Sequence, residues 1–130
     1  MNALVVTVSD GVSVGARKDA SGSALERILI EAGFNVDRRV VADEQRAIVA
    51  AIEDAQDVYG LILTTGGTGF GPRDVTPEAT ASVLEKEAPG LTHLMIAKGL
   101  ESTPMAALSR ARAGSVGTSL VVNLPGSPQG

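Results

Sequence analysis

Gly60-Leu61-Ile62-Leu63-Thr64-Thr65-Gly66-Gly67-Thr68-Gly69-Phe70-Gly71-Pro72-Arg73-Asp74-Val75-Thr76-Pro77 runs from an apolar segment through a glycine-dense turn, past a lone carboxylate, to a helix start. Residues 60–65 read as a strand. Four glycines in the next six residues, Gly66, Gly67, Gly69 and Gly71, let the backbone turn tightly and offer bare N–H groups to an anion. Arg73 adds a cation for phosphate, and Asp74 a carboxylate for metal or proton work. Thr76 is placed to cap a helix whose first residue is Pro77, where the missing N–H costs nothing. The loop is not a Walker A motif, since no Gly-Lys-Ser/Thr follows. Nor is it a dinucleotide fingerprint, because Pro72 stands where the third glycine would fall. A phosphate cradle and a plain tight turn both remain open.

Working outward, the apolar run 4–8 ends in Ser9-Asp10-Gly11, the pattern of a strand buried on both faces. Ser23 with Glu26 suggests a capping box opening a helix over 23–32, with Leu25, Ile28, Leu29 and Ala32 on one face before Gly33. Phe34, Val36, Arg38 and Val40 alternate with polar neighbours up to Val41, as in a half-buried strand near a sheet edge. Asp43 then stands where a helix N-cap is wanted, and Ile48, Ala51, Ile52 and Ala55 give a helix over 44–56. Beyond Pro77 the helix is expected to reach about 87, where Ala88-Pro89-Gly90 breaks it. Leu91, Leu94, Met95, Lys98 and Gly99 trace another, interrupted by Ser102-Thr103-Pro104. Residues 105–112 read as a short helix or an ordered loop. A last strand over 119–123 closes in Leu124-Pro125-Gly126-Ser127-Pro128.

This alternation predicts an α/β fold of three layers, a mainly parallel sheet flanked by helices. Ligands in such folds sit beyond the carboxyl ends of the strands. Ser9-Asp10-Gly11, Asp43, residues 66–74 and Pro125-Gly126-Ser127 are therefore expected on one rim.

At 130 residues, 44% of them hydrophobic, the chain suits a single domain over 1–130. Tyr59, Phe34 and Phe70 are its only aromatics, so the core must be aliphatic and little is left for stacking bases. A net charge of −4 with scattered cations argues against nucleic acid as a partner. With no cysteine, disulfides, thiolate zinc sites and a Cys nucleophile are excluded. The start at Met1-Asn2 lacks a basic n-region, and no apolar run approaches the ~20 residues of a membrane span. A soluble cytoplasmic protein is expected.

Asp43 and Asp74 are the carboxylates best placed at the rim, and such a pair beside a phosphate suits a hard cation such as Mg²⁺. Each also has an ordinary reading, a helix cap for Asp43 and a turn residue for Asp74. The link over 9–22, which contains the candidate binding residue Asp10, is long for a strand-to-helix connection, and its Ser9, Ser21 and Gly22 offer donors, or caps. Ser109 and Arg110 could clamp an anion. His93, the only histidine, falls mid-helix away from the rim and reads as structural, while Met95 and Met105 read as core filler. A serine hydrolase is excluded for want of a G-x-S-x-G elbow.

Taken together, Thr64-Thr-Gly-Gly-Thr-Gly69, Arg73-Asp74-Val75-Thr76-Pro77 and Asn123-Leu-Pro-Gly-Ser-Pro128 resemble the MogA/MoaB family of molybdenum-cofactor biosynthesis. Val8-Ser9-Asp10-Gly11, Asp19-Ala20-Ser21-Gly22, Val41-Ala42-Asp43-Glu44 and Leu108-Ser109-Arg110-Ala111 match it in the same order. The resemblance implies a molybdopterin-binding domain assembled as trimers or hexamers. MogA-like members adenylylate molybdopterin with Mg·ATP and release pyrophosphate, ahead of molybdenum insertion by a possible partner protein. It further implies Asp43 and Asp74 as the required catalytic and metal pair. Gly66, Gly67, Thr68, Gly69, Ser109, Arg110, Pro125, Gly126 and Ser127 would hold the pterin phosphate and nucleotide. A MoaB-like binding or scaffold protein without catalysis, and a hydrolase like those of competence-damage proteins, are the implied alternatives. Family members usually continue into a closing helix after the Pro-Gly-Ser-Pro loop, so a sheet face is expected to be less covered here.

Overall fold

The apolar run near the start of the chain forms the strand around which the sheet is built. A computed structural model describes residues 1–126. It contains β1 (Asn2–Val8), the single turn α1 (Asp10–Ser13), α2 (Ala20–Glu31), β2 (Asn35–Val41), α3 (Gln45–Ala55) and β3 (Leu61–Thr65). There follow α4 (Thr76–Val83), β4 (Lys86–Glu87), α5 (Pro89–Leu100), a 3-10 turn (Pro104–Leu108), β5 (Ala113–Val116) and β6 (Ser119–Leu124).

The six strands form one sheet in the order β2-β1-β3-β6-β5-β4. β1 runs parallel to β2 and β3, and β3 parallel to β6; β5 and β4 complete the sheet antiparallel. Alternate β1 residues feed two separate cores because both faces of the sheet are covered. Leu4, Val6 and Val8 pack with Ile48 and Ile52 of α3 and Ala79 of α4 on one side. Ala3 and Val5 pack with Leu29 of α2 on the other, where Leu91 and Met95 of α5 are only partly buried. The second core is the thinner, and Ile28 and Ile30 of α2 stay more than half exposed.

The α/β fold expected from the strand-helix alternation is present, with β2 at the sheet edge. Four local readings are corrected. The Ser23–Glu26 capping box does not form, because α2 starts earlier at its cap Asp19, and both side chains instead accept from Arg38. Thr76 is the first residue of α4, not its cap, and Val75 precedes it with no side-chain cap. The helix after Pro77 stops at Val83, since residues 86–87 pair with β5 as a strand. β5 escaped notice because Ala113-Gly114-Ser115-Val116 has weak strand character, and its Gly114 sits where a β-carbon would strike the Lys86 backbone. Met105 is 64% exposed and does not fill the core.

One buried polar cluster locks the sheet to α4. Asn123, fully buried in β6, donates from its amide to Thr64 Oγ1 of β3 and Thr80 Oγ1 of α4, each at 2.9 Å. Its Oδ1 accepts from the Arg112 N–H at 3.0 Å. Replacing Asn123 by Leu strands a backbone N–H and two hydroxyls in a dry core, an expected loss of about 3 kcal/mol. Equilibrium urea unfolding should show a clearly lower midpoint for Asn123→Leu; a midpoint equal to wild type would remove the cluster from this account.

Candidate functional site

β1 hands the chain to α2 on one face of the sheet and β2 hands it to α3 on the other, so the carboxyl ends of β1 and β3 border a topological switch point. An open hollow of about 380 Å³ lies there. Thr7, Val8 and Ser9 form its wall at the end of β1, and Arg17, Lys18, Ala20 and Ser21 a second at the start of α2. Asp43, Thr65, Gly66, Gly67, Asp74 and Gly126 close the rest. Four segments far apart in sequence thus meet on one rim.

Backbone geometry explains the glycines. Gly66 has φ +100°, and a β-carbon there would stand 2.5 Å from the Val8 carbonyl oxygen. Gly67 has φ +71°, and its β-carbon would collide with Thr76 Oγ1. Both positions need a left-handed backbone and a bare α-carbon. The loop is tied down from several sides. Gly66 N–H donates to Leu124 O at 3.1 Å, Thr76 N–H to Gly67 O at 3.2 Å, and Gly71 N–H to Asp74 Oδ2 at 2.9 Å. Pro125 is anchored through its carbonyl, which accepts from Thr65 Oγ1 at 2.8 Å, and Gly126 packs on Gly66. Among the described residues, the N–H groups of Gly67, Thr68 and Gly69 meet no acceptor.

Arg110 is a strut of this loop. Its guanidinium donates to Gly69 O at 2.7 Å, Asp74 O at 2.8 Å and Glu78 Oε2 at 2.5 Å, and lies 5.3 Å from the centre of the exposed Phe70 ring. Its own N–H donates to Thr68 O at 3.1 Å. Three of its five guanidinium N–H donors thus go to the protein, and Arg110 shapes the cradle. Ser109 does not line the hollow, and its Oγ accepts from the Ala111 N–H. Ser127 lies outside the described residues.

Asp10 and Asp43 interlock across the rim. The Asp10 N–H donates to Asp43 Oδ2 and the Asp43 N–H to Asp10 Oδ1, both at 2.9 Å. Asp43 is therefore not a helix cap; Glu44 holds that position in α3 with no side-chain bond. Arg73 grips Asp10 with two nitrogens, Nε to Oδ2 and a terminal nitrogen to Oδ1, each at 3.0 Å. The Asp43 N–H, with Arg73 adding to it, holds the Asp10 carboxyl below its ordinary range against the opposing effect of desolvation. Ser9 caps α1, its Oγ accepting from Val12 N–H.

At the start of α2, Asp19 is the organising residue. Its Oδ1 accepts from Gly22 N–H at 3.0 Å, its Oδ2 from Thr7 Oγ1 at 2.7 Å, and it pairs with Arg38. Burial pushes its pKa up, but the bonds from Thr7, Arg38 and Gly22 together outweigh that and hold it below the usual value. Gly22 is a packing glycine whose N–H is consumed by Asp19, because a β-carbon would strike both Asp19 and Thr7. Arg17 and Lys18, which line the hollow without an ion pair among the described residues, were not singled out from sequence. Two adjacent cations in an overlong strand-to-helix link were the available signal.

Comparison with known proteins identifies the family. Residues 4–130 match the family described as a probable molybdopterin binding domain. The chain is 42% identical over 130 residues to a molybdopterin adenylyltransferase of Helicobacter pylori, covering 96% of this chain and 74% of that protein. It is 44% identical over 127 residues to the molybdenum cofactor synthesis protein cinnamon of Drosophila melanogaster, covering 95% of this chain but only 21% of that longer protein. A solved structure of the molybdopterin biosynthesis enzyme MoaB from Thermus thermophilus superposes with a TM-score of 0.89 at 45% identity, covering 98% of this chain and 82% of that one. With the family matched over nearly its whole length and the fold shared with MoaB, this chain belongs to the MogA/MoaB family of molybdopterin-binding domains.

Proposed function

We propose that the chain is a molybdopterin adenylyltransferase, acting as a single domain over 1–130. A terminal phosphate oxygen of molybdopterin attacks the α-phosphorus of ATP, the bond from that phosphorus to the bridging oxygen breaks, and pyrophosphate leaves. The observation that carries this reading is convergence: two carboxylates, the free Gly67 N–H of the glycine loop and two cations without an ion pair among the described residues border one hollow. Identity with relatives named for the same reaction supports it.

Transfer of this kind asks the protein mainly for positioning and charge neutralisation. The N–H groups of Gly67, Thr68 and Gly69 face anionic oxygens, Ser21 adds a hydroxyl, and Lys18 with Arg17 balances phosphate charge from the opposite wall. Arg73, paired with Asp10, is a further cation on the rim. Asp43 and Asp74 both border the hollow, and no group of three or more His, Asp or Glu side chains able to hold an ion occurs among the described residues. Two carboxylates of this kind suit Mg²⁺, whose other ligands are commonly phosphate and water. Asp43 and Asp74 would hold it, and when bound it supplies neutralisation of the triphosphate.

The outer face of α5 and the 3-10 turn leaves Leu94, Leu100, Met105 and Leu108 exposed, and α5 has no fully buried residue. This supports assembly of copies as a homotrimer or hexamer. No helix among the described residues is long and apolar enough to cross a membrane. We place the reaction in the cytoplasm, upstream of a molybdenum-insertion protein.

Pyrophosphate release in the presence of molybdopterin, ATP and Mg²⁺ tests the reading. Molybdopterin binding without release would favour a MoaB-like binding role, a reading the identity with MoaB keeps in view. Asp74→Asn and Asp43→Asn keep an oxygen for their backbone donors, so each should lower kcat by about 100-fold or more with an unchanged melting temperature. Full activity in either variant would refute its assigned role. Lys18→Ala should raise KM for a phosphorylated substrate about fivefold with little change in kcat, read from steady-state kinetics.

A further inference from the structure

Thr76 carries the one buried side-chain polar atom that lacks a hydrogen-bond partner among the described residues, its Oγ1, in a residue with no exposed surface. Burying an unpaired hydroxyl costs stability, and the helix has no need of it. Thr76 is the first residue of α4 and not its cap, so a valine of the same shape would fill the position equally well. Its surroundings give the hydroxyl a purpose. A β-carbon on Gly67 would run into Thr76 Oγ1, and the same point lies 3.4 Å from Asp43 Oδ1. Hydroxyl and carboxylate oxygen therefore border the same side of the Gly67 α-carbon.

Asp43 is half satisfied. Its Oδ2 accepts from the Asp10 N–H at 2.9 Å, while its Oδ1 meets no donor among the described residues. A donor without an acceptor and a carboxylate oxygen without a donor thus flank a residue that must be glycine. The Thr76 N–H already binds Gly67 O at 3.2 Å, so the hydroxyl and the glycine loop move as one body.

We propose that Thr76 is a positioning residue for Asp43, its hydroxyl donating to Asp43 Oδ1 when the loop tightens around substrate. This rests on the adenylyl-transfer reading of the site. The contact is not made in the present arrangement, and catalytic hydrogen bonds commonly close only in the substrate complex. With Oδ2 held by Asp10 and Oδ1 by Thr76, the carboxylate plane is fixed and its outer lone pairs are left for the cation that Asp43 and Asp74 would hold. The stability lost to an unpaired hydroxyl is then exchanged for orientation during turnover.

Thr76→Val and Thr76→Ser separate this role from a structural one. Thr76→Val should melt at the wild-type temperature or above it, because an unpaired hydroxyl is removed, yet lose at least tenfold in kcat with KM changed less than twofold. Thr76→Ser, which restores the hydroxyl, should recover kcat to within about threefold of wild type. Wild-type kcat in Thr76→Val would overturn the proposal. So would a melting temperature several degrees lower in Thr76→Val, which would mean that the hydroxyl is a structural bond. Absence of turnover in wild type would instead refute the adenylyl-transfer reading, and the melting comparison would still decide whether the hydroxyl is held at a cost.

Discussion

The amide of Asn123 is the constraint on which the site depends. It bonds a hydroxyl on β3, a hydroxyl on α4 and, through its oxygen, the backbone that leads into β5. Those bonds fix the two ends of the glycine loop, since Thr64 stands just before it and α4 begins just after it. A buried polar cluster of this kind gives directional register that aliphatic packing cannot supply, because hydrophobic contact is insensitive to small rotations. With so few aromatic residues the core is a matter of Val, Leu, Ile and Ala, and Asn123 provides the geometric definition.

From that anchor the rim is built by assigning each polar group either to the fold or to the hollow. Gly22, Gly66 and Gly71 donate their N–H groups to protein acceptors, and Arg110 spends its guanidinium on loop carbonyls and Glu78. What is left over borders the hollow at the switch point between β1 and β3: the Gly67 amide, Ser21, two cations and two carboxylates. Most of this arrangement is set before any ligand arrives. Preorganisation of this sort lowers the cost of binding an anion and stabilises charge that develops during transfer.

The parallel half of the fold was legible because buried strands write themselves as apolar runs and helices as a period of 3.6, and both signals are strong at 4–8 and 44–56. The antiparallel corner was not. β4 has two residues and β5 carries a glycine and a serine, so neither rises above loop composition, and their pairing is a tertiary fact. Asp43 and Asp74 were singled out because they follow strand ends. The contacts Arg110 makes with the loop were not legible because a cation's sequence position does not reveal which carbonyls it will meet. Asn123, Thr64 and Thr80 look like unremarkable polar residues until burial brings them together. Thr76 was read as a cap on good local grounds, and only the path of the loop makes its hydroxyl an orphan.

The central claim is that phosphate oxygens are held between the free amides of residues 67–69 and the start of α2. A crystal structure of the protein with molybdopterin and a nonhydrolysable ATP analogue tests it most directly. The account predicts phosphate oxygens within hydrogen-bonding distance of the Gly67 to Gly69 N–H groups and Lys18, with Asp43 and Asp74 flanking the α-phosphorus. Ligand bound elsewhere, with the hollow between β1 and β3 filled only by solvent, would contradict it.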